Sequence, residues 1–140
     1  MIILEVKNLY DIIKYKQKQI EILTGEIISY KKQLTEKANK DLEDFKNINV
    51  LDFTIHGIEV LDMDVGYKHK EFTLIINNLD IQYKIFIPLK VEIINDKNIN
   101  NYNKIKIWKM KLDNFEYVLD EENYVNSVDE VVKYLLPFQK

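Results

Sequence analysis

The sequence predicts an α+β fold: a long N-terminal amphipathic helix packed on an antiparallel β-meander of about five to six strands, with a short C-terminal helix. Three observations predict this fold. Hydrophobic residues recur every three or four positions over residues 8–45, which is the spacing of one helix face. They recur at every second position over much of residues 48–119, as in half-buried strands joined by short turns. Ser127 and Glu130 form a capping-box pattern that opens a helix over residues 127–136.

The long helix carries a heptad seam, the pattern that keeps one stripe of a helix facing a partner. The seam runs through Val6, Leu9, Ile13, Ile20, Leu23, Ile27, Tyr30 and Leu34, with one polar interruption at Lys16. Beyond Leu34 its phase moves to Ala38, Leu42 and Phe45. Gly25 costs ~1 kcal/mol against Ala in a helix interior, so a helical hairpin that turns at Thr24–Gly25 is the alternative. One helix is favoured because the seam crosses Gly25 without losing register.

The predicted helix is longer than the domain that would carry it. Residues 8–45 span roughly 55 Å at ~1.5 Å per residue, whereas a compact domain of this length is about 37 Å across. One end of the helix should therefore extend beyond the domain, and we expect it to be the C-terminal third. Ile2–Val6, ahead of the helix, is interpreted as a short edge strand.

Strand patterns fill the middle of the chain. The predicted strands cover residues 51–55, 58–65, 72–76, 81–93 (interrupted at Pro88), 104–112 and 115–119. The alternation slips by one at residues 60–61 and 107–108, which indicates β-bulges. No Gly- or Ser-rich linker divides the sequence, so residues 1–140 are predicted to form a single domain.

Composition limits the class of protein. The chain is 46% hydrophobic with a mean hydropathy of −0.28, which is typical of a globular domain. No apolar run approaches the ~20 residues that a membrane span needs, and the first residues lack the pattern of a signal peptide. We therefore expect a cytoplasmic protein without membrane contact. There is no Cys, which excludes disulfides and thiolate chemistry.

Charge is distributed in blocks along the chain. All 20 basic residues are Lys, and together with abundant Ile and Asn this indicates an AT-rich genome, as in certain bacteria and their phages. Residues 41–65 carry seven acidic residues and one Lys, and residues 112–130 carry seven acidic residues and no Lys. The absence of Arg, the usual reader of guanine and phosphate, makes sequence-specific nucleic-acid recognition the less favoured function.

The favoured function is a non-enzymatic protein-binding or assembly module that self-associates through the long helix, most simply as a homodimer. The candidate interface residues are Ile20, Leu23, Ile27, Tyr30, Leu34 and Leu42. The alternative for the same stripe is packing on the protein's own sheet, which would leave a monomer.

Two other surfaces give alternative functions. An acidic surface would suit a small phage- or mobile-element-type inhibitor that occupies a basic groove of a bacterial defence protein. Its candidates are Asp41, Glu43, Asp44, Asp62, Asp64, Asp120, Glu121 and Glu122. A basic surface with interleaved aromatics would bind nucleic acid without sequence specificity. Its candidates are Lys104, Lys106, Lys109 and Lys111.

Signatures of catalysis are weak. His56, Glu59, Asp62, Asp64 and His69 are close in sequence, but their spacing matches no known pattern of metal ligands. The three glycines are isolated, so no phosphate-binding loop is predicted. We therefore predict no catalytic residues, no metal and no cofactor.

Overall fold

The computed structural model of the chain describes residues 2–76, 80–92 and 100–136. Helix α1, Ile2–Asp41, is one unbroken helix of 40 residues. Gly25 lies within it, so the helical hairpin is excluded, and the edge strand predicted for Ile2–Val6 is wrong because these residues are helical. The helix continues through Gly25 because the seam keeps its period there. Apart from its chain neighbours and the adjacent backbone of its own helix, no described atom lies within 4 Å of the position that a Cβ of Gly25 would occupy.

The segment after α1 is helical rather than extended. A short 3₁₀ helix, Glu43–Asn47, leads into α2, Leu51–Thr54, where a strand was predicted. The Asn49 side chain accepts a hydrogen bond from the Leu51 amide at 2.9 Å, and Asp52 accepts one from the Asn49 amide at 2.8 Å. These reciprocal bonds form a capping box at the start of the helix.

The end of α2 also has a recognisable motif. Gly57 has a φ of 78°, and the Ile58 amide donates to the Phe53 carbonyl at 3.3 Å. The Gly57 amide donates to the Thr54 carbonyl at 3.0 Å, which completes a Schellman motif. Phe53 and Ile58 are both buried, as the hydrophobic contact of that motif requires. The connection between the strands predicted at residues 51–55 and 58–65 is therefore a helix C-terminus.

Five strands form one antiparallel sheet in the order β1-β2-β3-β4-β5, which confirms the predicted meander. They are β1 (Glu59–Val65), β2 (His69–Ile75), β3 (Ile81–Pro88), β4 (Ile105–Asp113) and β5 (Glu116–Val125). The bulge expected at residues 60–61 is present, because the register of β1 shifts between Val60 and Asp62. The predicted continuation of this strand beyond Pro88 is wrong over residues 89–92, which are not part of a strand, and residue 93 lies outside the described residues.

The second expected bulge lies on the neighbouring strand. The register between β4 and β5 shifts at Lys109 and Met110, which pair with Glu121 and Leu119, so that Asp120 is the extra residue. Strand β4 itself alternates regularly against β3.

The hydrophobic core covers one face of the sheet and is closed by α2 and by α3, Val128–Leu135. Phe53 of α2 packs on Phe72 of β2 with ring centroids 4.9 Å apart. From α3, Val131, Val132 and Leu135 are buried in the same cluster. The prediction that α1 lies across the sheet is wrong, because none of the described buried residues in this cluster belongs to α1.

Helix α3 begins at the predicted capping box. The Ser127 hydroxyl accepts a hydrogen bond from the Glu130 amide at 3.3 Å. Glu130 in turn accepts from the amide of Asn126, one residue earlier than in the standard motif, at 2.6 Å. These bonds fix the start of the helix that closes the core.

The turn between β4 and β5 has an unusual residue. Asn114 and Phe115 have φ values of 50° and 69°, as in the two-residue hairpin turns that favour Asn-Gly. A side chain in the left-handed region costs roughly 1–2 kcal/mol, which Gly avoids. Phe115 is also 99% exposed, so packing offsets none of this cost in the described part of the chain.

Candidate interaction surface on the N-terminal helix

Most of α1 extends away from the rest of the protein. Between residues 5 and 34 every side chain is exposed except Gln19, which is half-buried. From residue 5 onwards, the first buried side chain along the helix is Ala38, followed by Leu42 just after the helix ends. The free part of the helix is therefore about 45 Å long at ~1.5 Å per residue. The expectation that the C-terminal third extends outward is wrong, because that third is the attached end.

The predicted seam lies on this free part. Ile20, Leu23 and Ile27 are 62%, 57% and 53% exposed, and Tyr30 and Leu34 are exposed as well. Leu42 is fully buried within the protein's own fold, so its inclusion among the interface candidates is wrong. The phase change after Leu34 marks the boundary: residues before it face solvent, and residues in the new phase, Ala38 and Leu42, face the domain.

The seam fits a heptad assignment with alternating a and d positions. The a positions are Val6, Ile13, Ile20, Ile27 and Leu34, and the d positions are Leu9, Lys16, Leu23 and Tyr30. Gly25 falls at an f position, on the side of the helix opposite the seam. A partner on the seam would therefore not contact it.

The attached end of α1 is held by polar bonds. The Asn39 side-chain amide donates to the Val91 carbonyl, and its oxygen accepts from the Val91 amide, both at 2.7 Å. The same amide also donates to the Thr35 carbonyl at 3.0 Å. Next to this clasp, the Tyr102 hydroxyl donates to Asp41 at 2.7 Å, and that bond raises the pKa of Tyr102. These bonds fix the base of the free helix to the domain.

The acidic candidates are distributed over three places. Asp41, Glu43 and Asp44 lie at the junction of α1 and the 3₁₀ helix. Asp62 and Asp64 lie on β1, whereas the acidic residues at positions 120–122 lie on β5. Strands β1 and β5 are the opposite edges of the sheet, roughly 19 Å apart at ~4.8 Å per strand. The two acidic segments therefore do not converge at these strands.

Two of the β5 acids accept hydrogen bonds from tyrosines within the chain. Glu121 accepts a hydrogen bond from the Tyr134 hydroxyl at 3.1 Å, and Glu122 accepts one from Tyr124 at 2.6 Å. Burial and the bond to Glu121 raise the pKa of Tyr134 to about 12. The bond to Glu122, with burial, raises the pKa of Tyr124 to about 12. The Tyr134 bond joins α3 to β5, whereas the Tyr124 bond lies within β5.

The basic candidates do not share one face. Lys104 precedes β4, and Lys106 lies opposite Phe86 on the face of the sheet away from the core. Lys109 and Lys111 lie on the other face, opposite Tyr83 and Ile81. Lys109 also pairs with Asp120 at 3.8 Å. Regular alternation along β4 thus separates residues that the sequence pattern placed together.

An aromatic pair lies beside Lys106 on the outer face. The rings of Phe86 and Trp108 meet edge to face with centroids 4.7 Å apart. The Lys106 ammonium lies 4.5 Å from both ring centroids. Glu71 and Lys84, on the same face, pair at 3.2 Å. The charges of Lys106, Glu71 and Lys84 are therefore engaged with rings or with each other.

No group of three or more potential metal ligands occurs among the described residues. His56 follows α2 and His69 begins β2, on different segments of the chain. An open cleft with a volume of about 460 Å³ lies beside the base of α1. It is lined by Asn39, Lys46, Tyr67, Leu89 and Lys90. Lys90 contacts the Tyr67 ring and hydroxyl, so this cleft is already partly closed by its own side chains.

The chain matches no protein-family model, and no curated protein or solved structure is significantly similar to it. In the described part of the chain, no helix combines the length and the apolar character needed to cross a membrane.

Proposed function

We propose that this protein is a non-enzymatic assembly module that self-associates through the free part of α1. The observation that carries the proposal is the solvent exposure of a continuous heptad seam over residues 6–34. Single exposed apolar side chains are ordinary on protein surfaces, but a contiguous apolar stripe of this length is typical of an interaction site. The rest of the module, the sheet with α2 and α3, has its own core cluster, and no side chain from the free part of α1 belongs to it among the described residues.

Helix stability gives a second argument. Most of the stability of helices in proteins comes from tertiary packing of an amphipathic face rather than from intrinsic propensity. Residues 5–34 have almost no such packing within one chain, and Gly25 lowers their propensity by ~1 kcal/mol. Association along the seam would supply the missing packing. Helix formation and assembly are then coupled.

A second copy of the chain is the partner that the seam fits. A period of 3.5 residues matches a helix with the same period, because side chains of one helix then enter spaces between side chains of the other. Every seam position except Lys16 is apolar or aromatic, so two copies present the same surface to each other across a two-fold axis.

Two neighbouring isoleucines provide the test. Ile27 lies on the seam and Ile28 lies beside it at a b position, with 53% and 63% of their surfaces exposed. Ile27→Asp should convert the assembly to a monomer in light scattering after size exclusion, because a buried carboxylate is costly. Ile28→Asp is the matched control and should leave the assembly mass unchanged. Equal masses for wild type and Ile27→Asp would refute the proposal.

A further inference from the structure

We infer that the assembly is a parallel, in-register, two-stranded coiled coil that holds two sheet domains at the same end of a shared stalk. This inference rests on the proposed self-association and specifies its geometry. It follows from the residue types at the seam positions, the charges that flank the seam and the way in which the domain is attached.

The types of seam residue favour two parallel strands. Parallel coiled-coil dimers prefer β-branched residues at a and Leu at d. Four of the five a positions are Val or Ile: Val6, Ile13, Ile20 and Ile27. Leu9 and Leu23 occupy d positions. The reverse distribution, with Leu at a and Ile at d, would favour four strands, and it is not the distribution found here.

Lys16 strengthens the same conclusion. It lies at a d position, and in a parallel in-register pair it meets its own copy. The polar interruption is then confined to one layer, where two long side chains reach solvent on opposite sides. In an antiparallel pair, a packs against d, so Lys16 would enter two separate layers and face an aliphatic residue in each. Parallel pairing therefore limits the disruption.

The charges beside the seam also distinguish the two directions. Glu26 is at a g position and Lys31 at the following e position. In a parallel pair, g of one helix lies beside the next e of the other, so Glu26 meets Lys31 of the second copy twice by symmetry. Antiparallel helices bring g to g and e to e. Between residues 10 and 33, Glu26 is the one charged residue at a g position, and Lys31 is the one charged residue at an e position. In an antiparallel pair, neither would therefore lie beside an opposite charge.

The attachment of α1 determines where the domains lie. Asn39 and Asp41 fix the C-terminal end of the helix to the residues around Val91 and Tyr102. In a parallel pair both attached ends lie together, and the free ends lie together about 45 Å away. Any partner of the sheet domain would then meet two copies side by side, which raises its apparent affinity through effective concentration.

The absence of Cys from the natural chain makes the direction directly measurable. We would prepare single-Cys variants at two a positions, Ile13→Cys and Ile27→Cys, with Ile28→Cys as a control outside the seam. Under mild oxidation, the parallel arrangement predicts that each a-position variant links to itself as a disulfide dimer for the greater part of the chain. A mixture of the two variants should give no mixed dimer, and the control should stay uncrosslinked.

Other results would overturn the inference in distinguishable ways. An antiparallel pair would leave Ile13→Cys and Ile27→Cys unlinked, and would give mixed dimers of Ile13→Cys with Leu23→Cys or Tyr30→Cys. A trimeric or tetrameric mass would refute the two-stranded geometry while leaving self-association intact. A monomeric wild type would refute the proposed function itself.

Discussion

Replacing Ile27 with Ala should weaken self-association by a calculable amount. The side chain is 53% exposed in one chain, and pairing along the seam would bury that remainder. Complete burial of an Ile side chain contributes about 1.5–3 kcal/mol, so the exposed half contributes about 0.8–1.6 kcal/mol. A homodimer contains two copies of Ile27, so the substitution removes this contribution twice. The loss is therefore about 1.6–3 kcal/mol, which corresponds to a dissociation constant raised roughly ten- to hundredfold.

The matched variant is Ile28→Ala, at a neighbouring residue of the same type with similar exposure. Both substitutions raise helix propensity by the same few tenths of a kcal/mol, which cancels between them. The assay is sedimentation equilibrium at several concentrations, fitted for the dissociation constant. Ile28→Ala should leave the constant within about twofold of wild type, since the residue lies off the seam. An equal effect of the two substitutions would refute the heptad assignment.

Three further predictions concern the fold. In the monomeric Ile27→Asp background, Asn39→Ala should lower the free energy of unfolding by about 1–3 kcal/mol, because Val91 loses two hydrogen bonds. Urea titration followed by Trp fluorescence would measure this free energy. An unchanged value would mean that the bonds between Asn39 and Val91 do not stabilise the fold. Phe115→Gly should raise the same free energy by up to ~1 kcal/mol, because Gly tolerates the positive φ but costs more entropy on folding; a loss of stability would contradict this. The pKa of Tyr134 is raised from 10 to about 12 in the folded protein, so its contribution to stability is present below pH 10 and lost as pH rises from 10 towards 12. Tyr134→Phe should therefore lose less stability than wild type between pH 8 and 11, and identical losses would refute the raised pKa, which comes first from burial and then from the hydrogen bond to Glu121.

The long helix was predictable from sequence because its signal is repeated. A heptad pattern over many turns identifies the helix and its apolar stripe together, and it crosses Gly25 without a break. The pattern does not show whether the stripe packs on the sheet or faces solvent. The direction of the overhang was not predictable from the seam alone. Burial at Ala38 and Leu42 depends on where the rest of the chain returns to meet them, as at Val91 and Tyr102.

The segment at residues 51–57 was misread for a different reason. Alternating apolar residues favoured a strand, but only Phe53 of this set is buried. The capping pattern of Asn49 with Asp52, followed by Gly57, is a local signal for a short helix and would have corrected the prediction. Short apolar runs do not distinguish the two structures by period alone.

The surface candidates depended on strand pairing, which the sequence indicates only weakly. The sequence predicts a bulge within β4 at residues 107–108, whereas the extra residue is Asp120 on β5. That one-residue difference decides which face each Lys occupies, because neighbouring residues of a strand point to opposite faces. Lys106 and Lys109 are consequently on opposite faces.

Sedimentation equilibrium of the wild-type chain over a wide concentration range tests the central claim most directly. Self-association through α1 predicts a weight-average mass that rises towards twice the 16.8 kDa of one chain and stays there. A mass of 16.8 kDa at every concentration would contradict the claim and leave the exposed seam of α1 without a second copy to cover it.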